Sequence, residues 1–367
     1  PPLTPEAMTR LVERTEGWIV ALQLIVAAAR NTPDLDELLT AGHRGQDWLV
    51  EYLTTQILDA LPSAMREFLL RTSILDRFNA SLAAIVTDTA NADPLLSKMV
   101  EGGVPVVQLD SQRQWFRYHH LFQELLKAQL QRTHSRAAIA TLHHRAAIWL
   151  AQHNQVTAAV QHALCADDRS LAAAILEAAV RPEIMRGDTQ QAQDWLTLFP
   201  NNALDQYPHL LLDWCLLEMM RVQTNLIEWV ARTDAALAFA QLTAEERRRA
   251  QAELTIFTII ARFYRREFDT VRQLIQDKDH CLADAEPLIQ GLLAYVQMHL
   301  AWYEGQFDYA LTFGSQAIEA LRDAGFDHIV ISVRIDRARI SAQRGYPREA
   351  LAMLQELVAA APANGSF

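Results

Sequence analysis

Apolar residues recur at helical spacing through nearly the whole chain. Thr4-Pro5-Glu6 reads as a helix start, with a hydroxyl cap and proline at the first helical position. Gly17 interrupts the pattern, and Leu22, Ile25, Val26 and Ala29 resume it from Trp18 onward. Pro33 and Pro62 punctuate the rest of this first segment. Ser63 then precedes a pattern carrying Phe68, Leu69 and Leu70, followed by short helical stretches at Ser81–Val86 and Pro94–Val100. After Gly102-Gly103 the period changes. Val104–Leu109 and Trp115–Tyr118 read as strands around a turn at Asp110-Ser111-Gln112, and Leu121–Leu130 returns to helix. Three helices and a β-hairpin make the winged-helix pattern.

From about residue 137 onward the pattern is helical and repetitive. A small or polar turn residue is followed five positions later by a small or β-branched residue facing a partner helix. The pairs are Asn154/Ala159, Gly187/Ala192, Val222/Ile227, Arg266/Val271, Gly305/Ala310 and Gly345/Ala350. Their second members are 33, 35, 44, 39 and 40 residues apart. This period predicts stacked helix-turn-helix repeats. The expected organisation is a helical domain at 1–62, a winged helix at 63–133 and a repeat superhelix of about six hairpins at 134–367. The fold class is all-α with one short β-hairpin, and the superhelix is expected to be right-handed and tetratricopeptide-like.

Composition narrows the function. The chain has 367 residues, half of them hydrophobic, with 33 basic and 44 acidic residues and a net charge of -11. That field repels phosphate backbones unless a basic patch offsets it. Residues 63–133 hold eight basic residues (Arg66, Arg71, Arg77, Lys98, Arg113, Arg117, Lys127 and Arg132) and seven acidic ones. The stretch a DNA-reading helix would occupy offers Lys98 against Glu101, so direct nucleic-acid contact is not expected. No apolar run approaches the roughly 20 residues needed to cross a bilayer, and no membrane association or signal peptide is expected. Cys165, Cys215 and Cys281 are unpaired in spacing and are expected as buried small hydrophobes in a reducing, cytoplasmic setting. A chain opening on Pro1 is expected to be part of a longer protein.

Twelve histidines raise a metal reading through His143-His144 with His153, or His119-His120 with His134. Adjacent helical residues diverge by about 100°, so no ligand set with the right geometry forms, and solvated or capping histidines are expected. Arg247-Arg248-Arg249 after Glu245-Glu246 reads as a solvated helix start. No Ser/His/Asp arrangement or paired-carboxylate motif with recognisable spacing points to catalysis.

Two motifs carry a family resemblance. Thr15-Glu16-Gly17-Trp18-Ile19-Val20-Ala21-Leu22-Gln23-Leu24 resembles the helical-domain motif of MalT-like signalling ATPases, and Phe116-Arg117-Tyr118-His119-His120-Leu121-Phe122 is similar to their winged-helix motif. The repeats follow where these large ATP-dependent LuxR-family regulators, members of the STAND class, place a sensor. The resemblance implies a P-loop ATPase before this region and a DNA-binding helix-turn-helix after it. A P-loop needs G-x-x-x-x-G-K-[ST]. The only lysines are Lys98, Lys127 and Lys278, and none follows a glycine loop, so this chain is expected to be no enzyme and to hold no cofactor itself. In the family a winged-helix histidine contacts the β-phosphate of ADP in the resting state. Matching the motif puts that role on His119, with ATP or ADP bound by the parent protein.

Repeat register supplies the remaining candidates. Counting back from the small contact residue to the positions that face a concave groove gives Phe263, Tyr295, His299, Trp302 and Arg339. Aromatic rings with polar edges suit sugar faces, flat metabolites or a partner helix. The alternative is that these rings pack between successive hairpins. The expected function is the signal-sensing middle of a transcription activator. A small-molecule inducer or regulatory protein in the groove would be coupled to the nucleotide state of the parent's own ATPase domain. A protein-interaction scaffold, or the regulatory region of a signalling kinase, is the alternative.

Overall fold

The computed structural model describes Leu58 and residues 61–359, except 103, 113, 222–224 and 283–284. The expected helical domain with its Thr15–Leu24 motif, Arg113, the turn residue Val222, and the side chains of Lys278 and Cys281 lie outside the described residues. The described residues form sixteen α-helices and one two-stranded antiparallel hairpin. They fall into two compact units divided at Arg169/Ser170.

The first unit opens with α1 (Ser63–Thr72), α2 (Ala80–Thr87) and α3 (Asp93–Glu101). Strands β1 (Val106–Gln108) and β2 (Phe116–Tyr118) and helix α4 (His120–Thr133) complete the winged helix. Asn79 caps α2 by accepting from the Leu82 amide. The Asp110 carboxylate closes the hairpin turn by accepting from the amides of Gln114 and Trp115. Val106 pairs with Tyr118 and Gln108 with Phe116, so the strands are shorter than the apolar runs suggest. Phe116 and Tyr118 point inward and Arg117 does not, as the period of two demands. The Tyr118 hydroxyl lies 2.6 Å from the Thr72 hydroxyl in the core, and its ring packs on Phe78 and Phe122.

Helices α5 (Arg136–Gln152) and α6 (Val156–Cys165) form the first hairpin and dock on the winged helix. The Trp149 indole donates to Ser81 Oγ at 3.1 Å, Trp115 packs edge-on against Trp149, and Arg145 pairs with Asp88. This compact unit therefore continues one hairpin past residue 133.

The second unit stacks five hairpins. They are α7 (Arg169–Arg186) with α8 (Thr189–Leu196), and α9 (Pro208–Met220) with α10 (Leu226–Phe239). Next come α11 (Ala244–Tyr264) with α12 (Phe268–Leu282), α13 (Pro287–Tyr303) with α14 (Phe307–Asp323), and α15 (Asp327–Gln343) with α16 (Pro347–Ala359). Thr243 and Glu246 cap α11 reciprocally, and Glu245 pairs with Arg248 and Arg249 on the solvated face the sequence predicts. Arg181 bridges α7, α9 and α11 by donating to Asp213 at 2.9 Å and to both Glu253 oxygens.

The turn register holds closely. Asn154, Gly187, Arg266, Gly305 and Gly345 all adopt positive φ. In each turn the amide after the left-handed residue returns to a carbonyl five residues back, as from Gln306 to Ala301 at 2.8 Å. Ala159, Ala192, Val271, Ala310 and Ala350 are buried as expected. Ile227 is the exception: Leu226 opens α10 and takes the buried place, leaving Ile227 half-exposed.

The cysteine expectation needs correction. Cys215 is buried, and burial pushes its thiol up to about 12, but Cys165 is exposed at the last turn of α6. The histidine expectation changes as well. His143 and His162 are half-buried and paired with each other, their Nδ1 atoms 2.8 Å apart, rather than solvated.

Candidate ligand groove

Helices α9, α11, α13 and α15 are the first helices of four consecutive hairpins, so their equivalent faces lie in one layer. A cavity of about 290 Å³ opens on that layer. Phe263, Tyr295 and His299 all line it. Tyr295 and His299 are one turn apart on α13, which puts both rings on one side of the helix. Their centroids are 4.7 Å apart in an edge-on contact, and Phe263 lies 5.8 Å from His299.

Asp336 on α15 organises the polar side of this cluster. Its Oδ2 accepts from the Tyr295 hydroxyl at 3.1 Å and lies 3.3 Å from His299 Nε2. Its Oδ1 accepts from Arg339 Nη1 at 3.0 Å. Burial alone would raise this carboxyl. The His299 hydrogen bond and charge, the Tyr295 hydrogen bond and the Arg339 charge outweigh that and hold it below the usual carboxylate range. Burial, followed by the charge of Asp336 and its hydrogen bond, pushes the Tyr295 hydroxyl well above an ordinary phenol.

The other two candidates take different places. Trp302 does not line the cavity. It is half-buried, packs against His299 and donates its indole N–H to Gln343 Oε1 at 2.7 Å, tying the end of α13 to α15. Arg339 is exposed and reaches the site only through Asp336. Register counting also missed wall residues. Met219 and Met220 enter from α9, Tyr264 from α11, Tyr303 from α13 and His328 from α15. Tyr303 packs against Phe263 and Phe268, and the Tyr264 hydroxyl donates to the Met219 carbonyl at 3.3 Å. The walls are mainly apolar and aromatic, with a few convergent polar edges. That composition, at the lower end of the roughly 300–1,000 Å³ typical of small-molecule sites, suits a compact ligand or a side chain of a partner.

In the first unit, His119 sits between β2 and α4. Its amide donates to the Pro105 carbonyl at 3.1 Å, and its carbonyl accepts from the Gln123 amide at 2.9 Å. Both strand and helix therefore fix its backbone, and its side chain is half-exposed. His120 faces solvent beside Glu124. Among the described residues no cluster of three metal-ligating side chains occurs, and no helix is long and apolar enough to cross a membrane.

Residues 54–138 match the family model of the MalT winged helix domain. The chain is MalT-like. It is 27% identical over 300 residues to the HTH-type transcriptional regulator MalT of Yersinia pestis (strain Pestoides F), covering 81% of this chain and 31% of that protein. Over 167 residues it is 32% identical to the serine/threonine-protein kinase PknK of Mycobacterium tuberculosis (strain ATCC 25618 / H37Rv), covering 46% of this chain and 15% of the kinase. The MalT-like chain thus spans about a third or less of these relatives. Its fold is similar to that of a signal transduction ATPase with numerous domains (STAND) and a tetratricopeptide repeat sensor from Pyrococcus horikoshii. The TM-score is 0.53 at 14% identity, over 83% of this chain and 46% of that one.

Proposed function

We propose that this MalT-like chain is the signal-sensing and coupling region of an ATP-dependent transcription activator. In this reading the repeat unit recognises a small inducer or a regulatory protein in the groove. The winged helix passes that event to a nucleotide-binding domain elsewhere in the parent protein. The observation that carries the reading is the convergence of Phe263, Tyr295 and His299 from two hairpins on one aromatic cavity. A rigid aromatic wall with few polar edges is what a recognition pocket needs. The match to MalT relatives runs through most of the repeats and favours this host over a kinase, whose match covers less than half of the chain.

Coupling requires the ligand to bind two states of the protein unequally. His119 is the residue that would sense the nucleotide, by contact with the β-phosphate of ADP in the resting state. A charge-assisted bond of this kind contributes about 1.5–3 kcal/mol. The test uses the full-length regulator and two variants. Phe263→Ala is expected to abolish the inducer response with basal transcription unchanged. His119→Ala is expected to raise basal transcription and speed ADP release at an unchanged melting temperature. Normal induction in Phe263→Ala would exclude the groove as the sensor. A lowered melting temperature with unchanged basal activity in His119→Ala would reduce that histidine to packing.

A further inference from the structure

The first unit holds a larger cavity, about 580 Å³, between the winged helix and the α5/α6 hairpin. Leu109, just after β1, and Ile139 of α5 give it an accessible apolar wall, backed by the buried side chains of Leu82, Leu130 and Leu150. Its charged lining is one-sided. Arg77 before α2, Arg117 on β2 and Lys127 on α4 face it, and Asp76 is the single acid among the lining residues. Asp76 is largely exposed and stands 3.9 Å from Lys127, too loose and solvated a pair to neutralise the cavity. Three cations around one concavity stand out in a chain with a net charge of -11.

The opposite wall adds polar groups. His143 of α5 and His162 of α6 both line the cavity, with their Nδ1 atoms 2.8 Å apart. One of these nitrogens must donate and the other accept, so the ring that accepts keeps its proton on Nε2 as a further donor. Burial lowers both imidazoles to about 4, helped by the charge of Lys127 at His143 and by His143 and then Lys127 at His162, so the pair is neutral near pH 7. Neutral nitrogens beside three cations disfavour a metal ion and leave the site electropositive. The volume falls within the range of small-molecule sites.

We propose that this cavity binds a small organic anion, with its phosphate or carboxylate head against Lys127 and Arg117 and its apolar body along Leu109 and Ile139. A ligand seated there would touch β2 and α4 on one side and α5 and α6 on the other. Its occupancy would therefore stiffen the join between the winged helix and the first hairpin. His119 lies outside this lining, and the site is independent of the aromatic groove.

Calorimetry on the 367-residue chain tests this with phenyl phosphate, inorganic phosphate and benzyl alcohol as probes. Saturable binding of phenyl phosphate is expected, with each of the other two at least several-fold weaker because it lacks the body or the charge. Lys127→Gln is expected to weaken phenyl phosphate about tenfold, the size of a lost charge-assisted contact, at an unchanged melting temperature. Lys98→Gln, a charge removal remote from the cavity lining, is expected to change nothing. Phenyl phosphate should also shift the imidazole NMR signals of His143 and His162. Absent saturable binding, equal affinity for all three probes, or undiminished binding by Lys127→Gln would overturn the proposal. So would imidazole signals that do not move at saturation.

Discussion

The Tyr295 hydroxyl donates to Asp336 Oδ2 across 3.1 Å, joining α13 to α15 at the edge of the aromatic groove. His299 and Arg339 converge on the same carboxylate. Replacing Asp336 with Asn keeps the shape but removes the charge and leaves at least one donor poorly matched. The expected loss of stability is about 1–3 kcal/mol, read by urea denaturation at pH 7. Because the folded carboxyl lies below its ordinary value, its stabilisation is present above about pH 4 and fades as the pH falls through the folded value. The stability gap between wild type and Asp336→Asn should therefore narrow progressively as the pH falls below about 4. A gap that stays constant as the pH falls below about 4 would mean that the charge plays no part.

Trp302 is expected to behave as a strut. Its ring packs on His299 and its N–H reaches Gln343, while the cavity wall is built by other residues. Trp302→Ala should cost about 2–4 kcal/mol, somewhat below the range for a fully buried tryptophan because the ring is half-exposed. Groove affinity of the folded fraction should change less than in Phe263→Ala. Thermal melts and binding titrations on the two variants separate these effects, and the reverse order of affinities would place Trp302 in the recognition surface.

The contrast between these two aromatics shows what the sequence makes legible. Left-handed turns select glycine or asparagine, and a tight helix crossing selects alanine, so the hairpin register shows in single residues such as Gly305 and Ala310. Arg266 keeps the same positive φ without glycine, so composition alone understates the regularity. Contacts between distant segments leave no such mark. Asp336 lies 41 residues from Tyr295, and the Trp149–Ser81 bond that docks the first hairpin on the winged helix spans 68. Cys165 is exposed because it falls on the last turn of α6 and at the cavity, where apolar periodicity no longer decides facing.

Helix spacing in the repeats is set by residues without bulk. Ala310 is fully buried, and Ala310→Leu is expected to cost about 1–3 kcal/mol by overpacking. Gly291 is tighter still: a Cβ there would lie 2.6 Å from a Leu321 side-chain carbon and 3.0 Å from its backbone nitrogen. Gly291→Ala should therefore destabilise despite the higher helix propensity of alanine. Glu319→Gln on an exposed position of α14 is the matched control and should leave the midpoint within about 0.5 kcal/mol. Equal denaturation midpoints for all three variants would contradict the register.

The His143–His162 pair makes the first unit sensitive to acid. Both rings lie near pKa 4 in the folded chain, through burial first, then at His162 the proximity of His143, and at both the charge of Lys127, against about 6.5 in an unfolded one. Between those values the unfolded state binds more protons, so stability falls with pH in that window. The contribution is fully present above about pH 6.5 and is lost as the pH approaches 4. Arg77 and Arg117 face the same cavity and oppose protonation, and Asp76 is the lining acid that favours it. The rings are partly solvated, so a discounted loss of about 2–3 kcal/mol by pH 4.5 is expected from the pair. Carboxylates elsewhere add their own acid dependence, which a His143→Gln/His162→Gln double variant retains. Urea denaturation of both proteins from pH 7.5 to 4.5 should give a stability difference that is flat above pH 6.5 and moves steadily in favour of the variant below it. Curves that stay parallel to pH 4.5 would mean that the two imidazoles accept protons in the folded chain as readily as in the unfolded one.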